Sequence, residues 1–246
     1  MGRFEGKRIL ITGGTRGMGH AAAQSIIAEG GEAWVTGVDP QRVEAVAATL
    51  GAHGRALRND AAAVDTGQAL ANWVADAGLL DGLWLNAGYA ELGPLEQVDA
   101  QAFDRMLATN VRGPALQLAA LSPLLKPGAS VLVSASSSAY EAAAMASLYA
   151  ASKGALVSMT RCWASALSTR RIRVNVLLPG PIATGFRDFL GPQAQQDFDR
   201  HITRQVPLGR MGSADEAAAV ALFLLSDAAS FVTGSQYPVD GGLMMR

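Results

Sequence analysis

"RILITGGTRGMGHAAAQSII", residues 8–27, decides how the rest of the chain is read. Residues 8–12 carry, after Arg8, a short run of aliphatic and β-branched side chains, the pattern of a buried strand. Residues 18–29 carry alanines and isoleucines at spacings of three and four, the pattern of a helix face. Gly13, Gly17 and Gly19 fall in the turn between them. Glycine lets the backbone turn tightly and lets a ligand come close to it. The free N–H groups and the dipole at a helix N-terminus favour an anion such as a phosphate. The glycines alone are a weak signal; their place between a strand and a helix gives them meaning.

Outward from this unit the pattern repeats. Apolar runs at 32–36, 54–58, 81–85, 129–134, 172–178 and 236–239 read as further strands. Helical spacing occupies 40–50, 62–77, 100–125, 147–169 and 214–226. Strands alternating with helices predict an α/β fold of the Rossmann type. It is a doubly wound parallel sheet of seven strands with helices on both faces, in a single domain over 1–246. No linker-like composition and no internal repeat interrupts it. The least regular stretch, 185–212, follows a strand end and reads as a candidate substrate lid.

Composition excludes several classes. Half of the residues are hydrophobic and 17% are charged, enough for a filled core. The formal net charge is −1 with no basic stripe, which argues against nucleic acid and an anionic membrane surface as partners. The apolar run at 9–11 is too short for a signal peptide, and no stretch suits a transmembrane helix. A single cysteine, Cys162, forbids an internal disulfide and fits a reducing cytoplasm. His20, His53 and His201 are too dispersed to suggest a metal site.

"SLYAASKGAL", residues 147–156, holds one of only four tyrosines beside one of only three lysines. Tyr149 and Lys153 are four residues apart, so a helix places them on one face. A free phenol titrates near pH ~10, too high for proton exchange near neutrality. A neighbouring cation favours the phenolate, so such a tyrosine can serve as a general acid or base. The small neighbours Ala150, Ala151, Ser152 and Gly154 predict a thin helix face suited to close cofactor approach. A donor is also needed where negative charge develops on a reacting oxygen. The run "SASSSA" after the strand 129–134 offers Ser134, Ser136, Ser137 and Ser138, and physics alone does not choose among them.

Gly13-x3-Gly17-x-Gly19 with Thr12 ahead of it, together with Tyr149-x3-Lys153, resembles the short-chain dehydrogenase/reductase family. Within it the chain broadly resembles 3-oxoacyl carrier-protein reductase-like NADPH-dependent ketoreductases, a resemblance that does not fix a substrate. The match runs from Lys7 to "VDGG" at 239–242. The resemblance implies hydride transfer between a nicotinamide cofactor and a carbonyl or secondary alcohol. It implies Tyr149 as acid/base and Lys153 as the cation that also binds the nicotinamide ribose. Thirteen residues before the tyrosine it implies Ser136 as the oxygen-polarising serine, with Ser138 as runner-up. In "TNVRG", 109–113, it implies Asn110 as a helix-disrupting residue that supports the proton relay.

For the cofactor, the resemblance implies contacts from Gly13, Thr15, Arg16, Gly17, Met18 and Gly19 of the glycine loop. It implies Gly37 and Val38 after the second strand and Asp60 and Ala61 after the third. "NAG", Asn86, Ala87 and Gly88, ends the fourth. "PGPIAT" supplies Pro179, Gly180, Ile182 and Thr184 around the carboxamide. Asp39 lies where a ribose-binding acid is counted, yet Asp39-Pro40 reads as an N-cap and first-turn pair. Gly37 and Val38 carry neither the NAD-selecting acid nor the NADP-selecting arginine. The missing acid and the nearby Arg16 point to NADP(H), with NAD possible.

The pocket is expected along 137–148 and 185–212. Ala142, Ala143, Ala144, Met145, Leu148, Phe186, Phe189 and Leu190 suggest an apolar cavity, and Arg187 is an available anion-binding group. The partner expected is a small-molecule carbonyl or alcohol. The resemblance also implies a homotetramer or homodimer through 100–125, 147–169 and the C-terminal segment 233–246. A dehydratase, an epimerase, an enoyl reductase or a non-catalytic NADP-binding sensor would use the same fold. The intact Ser136, Tyr149 and Lys153 argue against these.

Overall fold

The computed structural model describes residues 2–186 and 191–245. Its strands are β1 (Arg8–Ile11), β2 (Glu32–Gly37), β3 (Gly54–Arg58), β4 (Leu80–Leu85), β5 (Leu125–Ser134), β6 (Arg173–Pro179), β7 (Ile182–Ala183), β8 (Gly212–Ser213) and β9 (Gln236–Val239). Its α-helices are α1 (Gly17–Ala28), α2 (Pro40–Leu50), α3 (Thr66–Ala75), α4 (Ala100–Leu107), α5 (Gly113–Leu121), α6 (Ser147–Leu167), α7 (Pro192–Thr203) and α8 (Ala214–Leu225).

Seven strands form one sheet in the order β3-β2-β1-β4-β5-β6-β9, and every pairing in it is parallel. Successive side chains of a strand point to opposite faces, and the core divides accordingly. Ile9, Ile11, Val35, Trp84, Leu132 and Leu177 pack with residues of α1, α2 and α8. Leu10, Trp34, Leu83, Leu85, Val131, Val133, Val174 and Val176 pack with residues of α3, α5 and α6. Helices on both faces explain why the strands read as continuous apolar runs. The chain winds outward both ways from the β1–β4 pair, where sheets of this kind bind ligands at their C-terminal ends.

Three elements differ from the sequence reading. The expected helix 100–125 is broken into α4, a π-helical turn Ala108–Arg112, α5 and a 3-10 turn Ser122–Leu124. At its end Gly113 lies so close to the loop after β3 that a Cβ would stand 2.3 Å from the Ala61 carbonyl oxygen. β5 begins at Leu125, four residues early, and its register against β4 shifts between Leu80 and Gly82. The irregular stretch 185–212 contains α7, and β7, just before it, pairs with β8 at its end through Ile182 and Gly212. Phe189, Leu190 and Arg187 lie outside the described residues.

Candidate active site

The C-terminal ends of β1 to β6 open into a cleft of about 640 Å³. It is lined by the glycine loop, the ends of β2, β3 and β4, one face of α6 and the turn after β6. Of the cofactor residues expected from the sequence, all but Gly19 reach this lining. Gly19 acts from behind: a Cβ there would stand 2.8 Å from Asn86 Nδ2 and 2.9 Å from the Gly13 carbonyl oxygen.

The glycine loop is shaped for an anion. Gly13 and Gly17 have φ of 65° and 55°, a region that side chains other than glycine rarely adopt. A Cβ on Gly13 would meet Ala87 Cα at 2.8 Å, and one on Gly17 would meet Thr184 Cβ at 2.9 Å. Thr12 Oγ1 accepts from Asn86 N (3.0 Å) and Ala87 N (3.1 Å), and Asn86 Nδ2 donates to the Gly13 oxygen (3.1 Å). The loop and the end of β4 are therefore one rigid unit. At the start of α1 no side chain caps the helix and no acidic residue occupies the first turn. The first-turn N–H groups open to the cleft without side-chain competition, as a pyrophosphate requires.

At the opposite end lie Gly37, Val38, Asp39, Arg42, Asp60 and Ala61. A Cβ on Gly37 would stand 2.6 Å from Thr15 Oγ1. The missing carboxylate at 37 is thus a packing requirement of Thr15. Asp39 accepts from Gln41 N (3.0 Å) and Arg42 N (3.2 Å), the capping role read from the sequence. Arg16 leans away from this end and donates to the Gly185 carbonyl oxygen (3.3 Å). Arg42 was missed in the sequence; its signal was its place in the first turn of the helix capped by Asp39. It pairs with Asp39 at 3.5 Å and lines the cleft.

Away from the adenosine end α6 presents Tyr149 and Lys153 together, with Lys153 Nζ 5.7 Å from the centre of the Tyr149 ring. Lys153 is 3% exposed, and its Nζ donates to the Ser134 carbonyl oxygen at 3.0 Å. Burial pushes its ammonium down from 10.5 to about 8. A Cβ on Gly88 would stand 3.3 Å from Nζ, so this glycine gives the lysine its access. The thin-face expectation is not met. Ala150, Ala151 and Gly154 do not line the cleft, and only Tyr149 and Lys153 of this helix do.

Among the serines the surroundings differ, and Ser134 and Ser136 both reach the cleft lining. Ser134 Oγ accepts from Trp84 Nε1 and donates to Asn86 Oδ1, both at 2.9 Å, so it is committed to the scaffold. Ser136 lines the cleft, and its Oγ accepts from Ser138 N at 3.2 Å. Ser137 is buried, and neither it nor Ser138 reaches the cleft lining.

Asn110 is fully buried in the π-helical turn and does not line the cleft. Its Oδ1 accepts from Tyr89 N and its Nδ2 donates to the Tyr89 carbonyl oxygen, both at 2.8 Å. Nδ2 also donates to Ser152 Oγ (3.0 Å), which donates to the Tyr149 carbonyl oxygen (2.7 Å). A π turn widens the helix and is common at functional sites.

The apolar residues expected around a substrate divide. Phe186 lines the main cleft with its ring 6.4 Å from that of Tyr149. Met145 and Leu148 line a separate cavity of about 70 Å³, and Ala142, Ala143 and Ala144 line neither. Tyr89, Arg105, Thr109 and Asn59 also line the main cleft and were not singled out in the sequence.

Residues 13–244 match the family model described as Enoyl-(Acyl carrier protein) reductase. The chain is 37% identical over 245 residues to Oxidoreductase asL5 of Sarocladium schorii, covering 98% of this chain and 97% of that one. It is 35% identical over 249 residues to 2-(S)-hydroxypropyl-CoM dehydrogenase 3 of Xanthobacter autotrophicus, covering 98% of each. Its fold is similar to that of a short-chain dehydrogenase/reductase from Brucella melitensis described as glucose/ribitol dehydrogenase. The TM-score is 0.92 and the identity 32%, over 100% of this chain and 99% of that one.

Proposed function

We propose, from the premise that this chain belongs to the short-chain dehydrogenase/reductase family, that it is an NADP(H)-dependent ketoreductase. It would reduce a carbonyl, or oxidise the matching secondary alcohol, on a small and largely apolar substrate. A nicotinamide dinucleotide supplies or accepts the hydride when bound. The uncapped start of α1 and the glycine turn suit its pyrophosphate. Asp60 and Ala61 suit the adenine, and Gly180, Ile182 and Thr184 suit the carboxamide. Arg42 at the adenosine end supports NADP(H) over NAD(H), since no carboxylate at 37 opposes a 2′-phosphate.

The observation that carries the reading is Lys153, buried beside the Tyr149 ring in the cleft. Its charge favours the Tyr149 phenolate. As the phenol, Tyr149 Oη gives its proton to the carbonyl oxygen in reduction and is left as the stabilised phenolate; as the phenolate it takes one from the alcohol in the reverse direction. Ser136 Oγ donates to the same oxygen as negative charge develops. Asn110 keeps Tyr89 and, through Ser152, the Tyr149 backbone in place. In this reading 185–212, with α7, closes over the substrate, the protein works in the cytoplasm, and copies associate as a homotetramer or homodimer. Exposed Phe103 and Phe231 support that association.

The test follows NADPH and NADH oxidation against a panel of ketones, with Tyr149→Phe alongside. Turnover that falls by about 10²–10⁴ in the variant, while cofactor affinity holds, supports the reading. NADPH binding without turnover of any carbonyl would move the weight to a non-catalytic sensor.

A further inference from the structure

We propose that Arg105 is a specificity-determining residue that selects ketones carrying one carboxylate or similarly charged oxyanion. The inference rests on the hydride-transfer reading above and names the substrate class of the same cleft.

Arg105, on α4, lines the cleft together with Ser136, Tyr149 and Phe186. The carboxylates that line this cleft among the described residues are Asp39 and Asp60. Both follow the ends of β2 and β3, in the adenosine half, and Asp39 is taken up by its helix cap and by Arg42. The catalytic half holds two cations, Lys153 and Arg105, and no carboxylate among its described lining residues. A cleft lined by one sign of charge concentrates ligands of the other.

The guanidinium is only half used. Its Nη2 donates to both oxygens of Glu91 at 3.2 Å. Among the described residues Nη1 and Nε donate to no acceptor at hydrogen-bond distance, while the Tyr89 hydroxyl also acts on the guanidinium. Each bidentate edge of a guanidinium includes Nη2, so a substrate carboxylate takes Nη2 in exchange with Glu91, with Nη1 or Nε beside it. The Arg105 and Glu91 side chains are 50% and 42% exposed. Such a pair is weak and exchanges readily. Glu91 lines the smaller cavity instead of the main cleft, so it anchors Arg105 from behind.

Glu91 has a partner of its own. Tyr89 Oη donates to Glu91 Oε2 at 2.8 Å, and the Tyr89 backbone is held at N and O by Asn110. Arg105 is therefore referenced to the same asparagine that braces the Tyr149 helix. An anionic group on Arg105 would orient the carbonyl toward Tyr149 and Ser136, while Phe186 contacts the apolar remainder.

The experiment compares matched pairs, a 2-oxo acid and a 3-oxo acid against their methyl esters, on the wild type, Arg105→Gln, Arg105→Lys and Glu91→Gln. The wild type is expected to favour the acids by at least ~10-fold in kcat/KM. Arg105→Gln is expected to raise KM for the acid by about 10-fold, with the change confined to the acid, and Arg105→Lys to restore part of it. Glu91→Gln is expected to lower KM for the acid about 2–5-fold by releasing Arg105. Equal use of acid and ester by the wild type would overturn the inference. So would an Arg105→Gln effect shared by both substrates or moved to KM for NADPH. If no ketone of the panel, acid and ester included, is turned over, the reductase reading fails separately. Calorimetry of the acid on the protein with NADP⁺ then decides: binding lost in Arg105→Gln upholds the anion site, and no binding to the wild type removes it.

Discussion

Lys153 Nζ donates to the backbone carbonyl oxygen of Ser134 at 3.0 Å, and no carboxylate is among its hydrogen-bond partners in the described residues. Ser134 is itself fixed, its hydroxyl lying between Trp84 Nε1 and Asn86 Oδ1. The ammonium is buried at a cost in solvation, and its ordinary 10.5 falls to about 8.

That cost is measurable. The folded value lies below the unfolded one, so the unfolded chain holds this proton more tightly. The penalty is fully present below pH about 8 and fades as pH rises toward 10.5. It is on the order of 3 kcal/mol, against about 1 kcal/mol for the lost Ser134 hydrogen bond. Lys153→Met is therefore expected to be inactive and to melt several degrees above the wild type at pH 7, at roughly 2–4 °C per kcal/mol. The difference should shrink by pH 10.5. Thermal melts across this range check it, and a variant that melts well below the wild type throughout would sink the account.

Ser136 and Ser138 are distinguished by their access to the cleft. Ser136→Ala is expected to lower kcat about 10²–10³-fold. Ser138→Ala keeps the backbone N–H that Ser136 Oγ accepts from, so its kcat should stay within about threefold. Steady-state rates on one ketone compare them, and the reverse order would assign the serine role to Ser138.

Arg42 lies at the adenosine end, whereas Arg16 turns to the Gly185 carbonyl. Arg42→Ala is expected to raise KM for NADPH about 10-fold and leave KM for NADH nearly unchanged. Arg16→Ala should have the smaller effect. Equal losses with both cofactors in Arg42→Ala would remove Arg42 from 2′-phosphate recognition.

Gly13 and Gly6 share a φ of 65° but not their surroundings. A Cβ on Gly6 meets nothing within 4 Å, while one on Gly13 overlaps the Ala87 backbone at 2.8 Å. Gly6→Ala should lose only the backbone term, about 1–2 kcal/mol. Gly13→Ala should lose at least about 3 kcal/mol together with cofactor affinity. Denaturant unfolding and cofactor titration of both variants test this, and equal losses would place the requirement in φ alone.

Some of this was legible in the linear chain because it depends on local periodicity. The βαβ start at 8–29, the seven strands of the main sheet, the Asp39 cap and the pairing of Tyr149 with Lys153 follow from short apolar runs, the Asp39-Pro40 pair and spacings of three to four. Tertiary structure decided the rest. Asn110 opens its helix because its amide reaches Tyr89, 21 residues away in the chain. Gly37 answers to Thr15, and Ser134 is drawn from the serine run by Trp84 and Asn86. Arg42 and Arg105 face the cleft only because α2 and α4 are docked as they are. A residue's type and local spacing define what chemistry it can do. Which partner satisfies it, and whether it reaches the cleft, depends on close packing between segments distant in sequence.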